Sequence, residues 1–264
     1  MAHAFNKPRK RFGQHFLHDP HVIARIIQAI RPQADDQLIE IGPGRGALTL
    51  PLLEHVRQLA IIEIDRDLVQ WWQEQHHTRL IIHAQDALKI DYCRLQSDAQ
   101  HKLRIVGNLP YNISTPILFH LFEHLACIED MHFMLQKEVV DRMCAAAGDA
   151  DYGRLSVMVQ FHCEVEKLFD VSAGAFKPPP KVESSIVRLT PHAPGKYTVD
   201  QHLLQQLVAQ AFNQRRKTLR NSLKAWFSAE QIQAIGIDPG IRPEQLDLAA
   251  FIKLTQHANP PSVT

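Results

Sequence analysis

No apolar run among the 264 residues is long enough to span a bilayer, and no signal-peptide pattern opens the chain, which starts MAHAFNKPRKRF. Membrane insertion and export are therefore not expected, and the expected location is cytoplasmic. Cysteine is sparse: Cys93, Cys127, Cys144 and Cys163 are widely spaced and form no CxxC pair. That argues against zinc and against a disulfide framework, and for a reducing compartment. Sixteen histidines are many, but none stands in HExxH or a comparable ligand spacing, so no metal site is expected and they read as surface composition. A formal net charge of +1 points to no partner, and there is no internal repeat or low-complexity stretch.

The length suffices for one large core and a small second domain. Cationic residues are unevenly placed. Lys7, Arg9, Lys10 and Arg11 stand together near the start, and Arg215, Arg216, Lys217, Arg220 and Lys224 stand together late, with no acid among them. Two separated basic blocks on a nearly neutral chain suggest local anion contacts, plausibly to phosphate; solvated charged faces are the plainer alternative.

From 37 to 140 strand and helix patterns alternate. Before them, Asp19-Pro20 caps a helix whose Val22, Ile23, Ile26, Ile27 and Ile30 share one face, and Arg31-Pro32 ends it. Gln37 to Ile41 reads as a strand running into Gly42-Pro43-Gly44-Arg45-Gly46-Ala47, a turn that lets a ligand approach the backbone ahead of a helix. The next strand ends at Glu63, about 20 residues past the loop, where an acid can chelate ribose hydroxyls. A third strand leads to Gln85-Asp86-Ala87. The glycine loop also satisfies the dinucleotide fingerprint, so it indicates a nucleotide-like cofactor on an α/β sheet and nothing narrower.

The fourth strand, from Leu103, delivers Asn108-Leu109-Pro110-Tyr111. A strand ending this way presents an amide side chain, a backbone carbonyl freed by the proline and a flat ring, which together fit a planar amine. A turn that merely closes a strand is the plainer reading. A fifth strand follows at 130–136, and Leu155 to Cys163 and Ser184 to Leu189 read as final strands. Between them Ala175 to Ser184 carries three successive prolines and must be stiff and extended. After 192 the periodicity becomes helical throughout. The expected fold is therefore α/β, a seven-stranded sheet within 1–192 and a small helical domain at 193–264.

Five segments in order, KRFGQHFL, EIGPGRGALT, GNLPYNIS, MLQKEVVDR and FKPPPKVESSIVRL, resemble the KsgA/RsmA family of small-subunit ribosomal RNA adenine-N6 dimethyltransferases over essentially the whole chain. The resemblance implies a class I (Rossmann-like) methyltransferase fold, S-adenosylmethionine as cofactor, and two adjacent adenosines near the 3′ end of 16S rRNA as substrate. The implied partner is an immature small ribosomal subunit, and the expected state is a monomer. Asn108 and the Leu109 carbonyl would hold the hydrogens of the target amine, with Tyr111 and Phe176 stacking on its base. His15, which stands where many relatives carry Asn, would contact the cofactor together with Leu17, Gly42, Glu63, Asp86 and Asn108. Lys177, Lys181, Arg215, Arg216, Lys217 and Arg220 would contact RNA, with Arg188 a further flanking cation.

Three other readings remain open on the sequence alone. The related resistance enzyme that methylates one large-subunit rRNA adenine shares Asn-Leu-Pro-Tyr, although the triple-proline segment and the late helices favour the small-subunit enzyme. A non-catalytic assembly factor on the same fold is a second, opposed by intact Glu63, Asp86 and Asn108. A nicotinamide dehydrogenase is permitted by the glycine loop alone and ranks last.

Overall fold

The computed structural model describes residues 15–98, 100–111, 113–214 and 216–258. By contact density the chain divides into two compact units, one running up to Val140 and including Glu166–Pro191, the other Asp141–Val165 with the chain from His192 onward.

The first unit begins with β1 (Phe16–Leu17) and α1 (Pro20–Ile30). The Asp19 side chain caps α1 by accepting from the backbone N–H of His21 at 2.9 Å and of Val22 at 3.2 Å, and Ile26, Ile27 and Ile30 bury its inner face. Then come β2 (Gln37–Ile41), α2 (Thr49–His55), β3 (Leu59–Ile62), α3 (Arg66–Glu74), β4 (Leu80–His83), β5 (Leu103–Asn108), α4 (Ser114–Phe122), β6 (Ile128–Gln136) and α5 (Lys137–Cys144). After α6 (Arg154–His162), β7 (Cys163–Val171), β8 (Phe176–Lys177) and β9 (Ser184–Pro191) complete the strands. Seven strands form one sheet in the order β4-β3-β2-β5-β6-β9-β7, with β2 to β6 mutually parallel and β9 antiparallel to β6. This is the expected α/β architecture. Sequential strands spread outward from β2 on one side and from β5 on the other, so the crevice beyond the carboxyl ends of these two is where a ligand should lie.

Gly107 explains how β2 and β5 approach so closely there. A Cβ at this position would stand 2.7 Å from the Ile41 carbonyl oxygen, a distance real Cβ atoms essentially never show. Outside the main sheet, β1 pairs antiparallel with β8, Leu17 opposite Phe176 and Phe16 opposite Lys177. Two motifs some 160 positions apart are thereby joined at one edge of the crevice.

The second unit is helical: α6 packs with α7 (Gln201–Phe212) and α10 (Leu248–Gln256), while α8 (Leu219–Ser222) and α9 (Ala229–Ala234) are short. Two differences from expectation arise here. Residues 155–163, read as a strand, are the helix α6, and its Ser156, Val157, Met158, Val159 and Phe161 are all buried. An apolar run covered almost all round has no amphipathic period to reveal it, so strand and buried helix look alike in sequence. Ser156 and Gln160 hydrogen-bond the Arg142, Met143 and Ala145 carbonyls, satisfying the end of α5. Because α6 belongs with α7 and α10, residues 141–165 group with the helices, whereas the sequence reading placed them in the sheet domain.

One further expectation is corrected. Cys93 and Cys127, whose spacing argued against a disulfide framework, are joined in a disulfide, while Cys144 and Cys163 are free. Their 34-residue separation carries no local signal, and only the fold brings them together.

Candidate active site

A cavity of about 1030 Å³ opens at the carboxyl ends of β2, β3, β4 and β5, the upper end of the size usual for small-molecule sites. Gly42 and its loop line it after β2, Glu63 after β3, Asp86 after β4, and Asn108 to Tyr111 after β5; His15, Leu17 and Lys177 come from the β1–β8 edge. The parallel order alone accounts for this convergence, because each of these strands delivers its following loop to the same side.

The glycine loop is shaped by α3. The Gly44 carbonyl accepts from the Trp72 indole N–H at 3.1 Å. Gly46 has φ +87°, and a Cβ there would stand 2.7 Å from the Trp72 ring. A side chain at 46 would displace a buried tryptophan, so the glycine is a packing requirement as well as a conformational one.

Glu63 is buried, and one of its carboxylate oxygens accepts from the backbone N–H groups of Ile64 and Asp65, both at 2.9 Å. Burial raises its pKa despite those bonds, and Asp65 nearby adds to the rise. The two N–H groups fix the carboxylate at the mouth of the crevice, the posture needed to accept from two vicinal hydroxyls. Asp86 is half-buried and accepts from the Leu88 N–H at 3.0 Å.

Asn108 donates its side-chain N–H to the His15 carbonyl at 3.3 Å, which leaves the amide oxygen as the acceptor this residue presents. Leu109 is buried and anchored by its N–H to the Met134 carbonyl at 3.2 Å. Tyr111 is half-buried, and its hydroxyl meets the Ser184 hydroxyl at 2.9 Å. The His15 ring lies 6.1 Å from it, tilted by 26°, and His15 Nδ1 bonds the Pro178 carbonyl at 2.8 Å. Amide, ring and proline segment are thus one hydrogen-bonded assembly, held together across three separate stretches of chain.

Phe176 does not join the others. It is 3 % exposed, packs in the core with Leu17, Ala175 and Ile186, and is not among the described residues lining the cavity. Paired with Leu17 across β1 and β8, this ring lies in the core, and Lys177 and Pro178 line the cavity instead. Lys181 is exposed, as are Arg216, Lys217 and Arg220 in the second unit; Arg215 lies outside the described residues. Only Arg220 of the late basic block falls on α8, because that helix is four residues long. Arg188 forms an ion pair with Glu166.

Two residues went unnoticed in the sequence. Glu40, within the strand expected from Gln37 to Ile41, is 2 % exposed and lines the cavity. It accepts from the Thr49 hydroxyl at 2.6 Å, and burial, with Glu63 adding, pushes its pKa up to about 7. Ser184 was visible only as the end of the proline motif, and nothing local announces a partner 73 positions away.

Comparison with known proteins shows the family. The family model for ribosomal RNA adenine dimethylase matches residues 5–259. A protein of Pseudomonas aeruginosa called ribosomal RNA small subunit methyltransferase A is 57 % identical over 252 residues, 94 % of each chain. Its namesake from Alcanivorax borkumensis is 53 % identical over 97 % of this chain and 92 % of its own. Among solved structures, a dimethyladenosine transferase from Plasmodium falciparum superposes with a TM-score of 0.73 at 27 % identity, covering 91 % of this chain and 96 % of its own. The 23S rRNA methyltransferase ErmE gives 0.68, also at 27 %, covering 91 % and 99 %. With a family model spanning nearly all its length and close relatives aligned end to end, the chain belongs to the ribosomal RNA adenine dimethylase family.

Proposed function

We propose that the chain transfers methyl groups from S-adenosylmethionine to N6 of two adjacent adenosines near the 3′ end of 16S rRNA, acting as a monomer on an immature small ribosomal subunit. The observation that carries this reading is Asn108: it stands at the head of the β5 loop, lines the cavity, and has its amide N–H engaged by His15. Its remaining oxygen, with the Leu109 carbonyl, suits the two hydrogens of an exocyclic amine.

The residues present fit the cofactor. Glu63 offers a fixed carboxylate for ribose hydroxyls, Asp86 an acceptor for an adenine amino group, and the Gly42 loop backbone a close approach. His15 and Leu17 border the same cavity and suit the methionine end. When bound, S-adenosylmethionine supplies a methyl group already activated by the sulfonium charge. The chain's own work is therefore alignment and electrostatics. Asn108 and Leu109 draw the target nitrogen toward tetrahedral geometry, so that its lone pair leaves conjugation with the ring. Tyr111, held by Ser184 and flanked by His15, offers a face for the base, with stacking of about 1–3 kcal/mol. The displaced proton leaves to water, so no side-chain base is required. A target adenine within a stacked strand must first turn out into the crevice. Exposed Lys177 at the cavity, exposed Lys181, and Arg216, Lys217 and Arg220 in the second unit suit phosphate contacts.

A second reading has a specific observation behind it, since the 23S rRNA methyltransferase ErmE superposes nearly as well as the dimethyladenosine transferase. The 53–57 % identity to small-subunit enzymes favours the first. The test is transfer of labelled methyl to unmethylated small subunits beside large-subunit RNA, with the nucleosides resolved by mass spectrometry. Dimethyladenosine from the small subunit alone is expected; product only from large-subunit RNA would reverse the assignment.

A further inference from the structure

Away from the cavity, the segment following Asp86 meets the end of α4. Cys93 and Cys127 are bonded there, with their Cα atoms 5.5 Å apart. The ligand atoms of Asp91, Cys93 and His124 all lie within 4.8 Å of one another. His124 Nδ1 stands 3.6 Å from the Asp91 carboxylate, and the His124 carbonyl oxygen lies 3.7 Å from the Cys93 sulfur and 3.0 Å from that of Cys127. One sulfur, an imidazole and a carboxylate are thus gathered together, with the Cys127 sulfur bonded to that of Cys93, from two stretches of chain, Asp-x-Cys at 91–93 and His-x-x-Cys at 124–127.

We propose that Asp91, Cys93, His124 and Cys127 form a tetrahedral site for a zinc-class divalent cation, and that the disulfide is the oxidised, metal-free state of that site. Thiolate, imidazole and carboxylate are the donors such a cation prefers, and in a tetrahedral zinc centre they stand roughly 3.3–3.8 Å apart. A modest contraction of the triad, with the two sulfurs parted, reaches that spacing. The neighbouring imidazole is committed elsewhere: His120 Nε2 bonds the Ile90 carbonyl at 2.8 Å and its other nitrogen faces Glu123 at 3.7 Å. His120 also lies edge-on to His124, with ring centroids 5.0 Å apart, and limits that ring's freedom. Cys127 is buried and His124 is 16 % exposed, while Asp91 is open to solvent and gives a cation its way in.

The redox step is balanced by a dithiol reductant. It delivers two electrons and two protons to the Cys93–Cys127 bond, giving two thiols, and closes to its own disulfide. Cation binding then releases both thiol protons to water as the sulfurs become thiolate ligands. Neither half involves the methyl-transfer site.

The experiment uses the full chain, stripped of metal, in a phosphine-reduced and an oxidised sample. Each is titrated with zinc against a chromophoric chelator and then with cobalt(II) as a spectroscopic probe. The expected result is one equivalent of zinc in the reduced protein and none in the oxidised one. Cobalt should give a thiolate charge-transfer band and the intense visible bands of a tetrahedral ion, and zinc should shield two thiols from alkylation. Cys93→Ser and Cys127→Ser should abolish the band, whereas Cys144→Ser should leave it intact. His124→Gln, which leaves both cysteines in place, should still form the disulfide but lose stoichiometric binding, so that a folding defect in the cysteine variants does not decide the matter. Absence of tight binding to the reduced wild-type chain would overturn the site, as would binding that survives loss of Cys93 and Cys127.

Discussion

At the start of β5, Arg104 is 8 % exposed and surrounded by partners. Its guanidinium bonds Asp130 at 2.8–3.2 Å, Asp36 at 2.6 Å and the Ile30 carbonyl at 2.7 Å. At the other end of the neighbouring strand, Glu40 is more deeply buried still and has the Thr49 hydroxyl, with Glu63 close enough to oppose its ionisation. Burial alone would lower the Arg104 pKa, yet Asp130 and Asp36 hold it raised; burial raises that of Glu40, and one hydroxyl does not bring it back. One edge of the sheet is electrostatically finished and the other is not. A charge completed by its own protein has a structural task, whereas buried acids gathered at a cavity suit a positively charged ligand.

The sharpest way to break this contrast is Arg104→Met. It leaves Asp36 and Asp130 partly buried without their common cation, which costs about 3–5 kcal/mol of stability and on the order of 10 °C in melting temperature. Cofactor affinity of the remaining folded protein should be unchanged, because no part of this cluster lines the cavity. A loss below about 1 kcal/mol would mean that these charges are as well solvated as surface pairs.

Asn108→Ala is next in size and falls on the unfinished edge. Removing an acceptor that acts on the reacting group should lower kcat by roughly 100-fold or more, about 2.7–4 kcal/mol of barrier by analogy with other transition-state hydrogen bonds. Cofactor affinity, measured by calorimetry, should change only a few-fold. Equal losses in both would move Asn108 from the chemistry to cofactor binding.

The same contrast explains what the sequence made legible. Gly42, Glu63, Asp86 and Asn108 could be placed because strand alternation alone puts each at a carboxyl end, and all four line the cavity. Phe176 could not, since an aromatic before a rigid loop looks the same whether it turns outward or, as here, into the core beside Leu17. Glu40, Ser184 and the Cys93–Cys127 pair depend on partners 9 to 73 positions away, and no local pattern encodes those contacts. The misreading of α6 has a different origin, for burial on nearly every side erases the period that distinguishes helix from strand.

Glu40→Gln tests the unfinished edge by titration. The folded-state pKa of about 7 lies above the ordinary carboxyl value of 4.5, so the folded chain holds this proton more tightly than the unfolded one. Stability from the carboxyl is therefore full below pH 4.5 and declines as pH rises to about 7, by up to about 3 kcal/mol in the limit. Urea unfolding at pH 5 and pH 8 should show the variant gaining on the wild type at the higher pH by roughly 2 kcal/mol. A difference that does not vary with pH would show that Glu40 is ionised throughout.

The smallest expected effect concerns a neutral contact on the same edge. Ser184→Ala removes the partner of the Tyr111 hydroxyl, a bond of 2.9 Å that joins the β5 loop to the start of β9. A neutral hydrogen bond of this kind contributes about 1 kcal/mol, so kcat should fall roughly fivefold while the cofactor dissociation constant holds. Tyr111→Phe should match it, and the double variant should be no worse than either single one, because both remove the same bond. Additive losses would instead mean that Ser184 and Tyr111 act separately, and that Tyr111 is positioned by His15 alone.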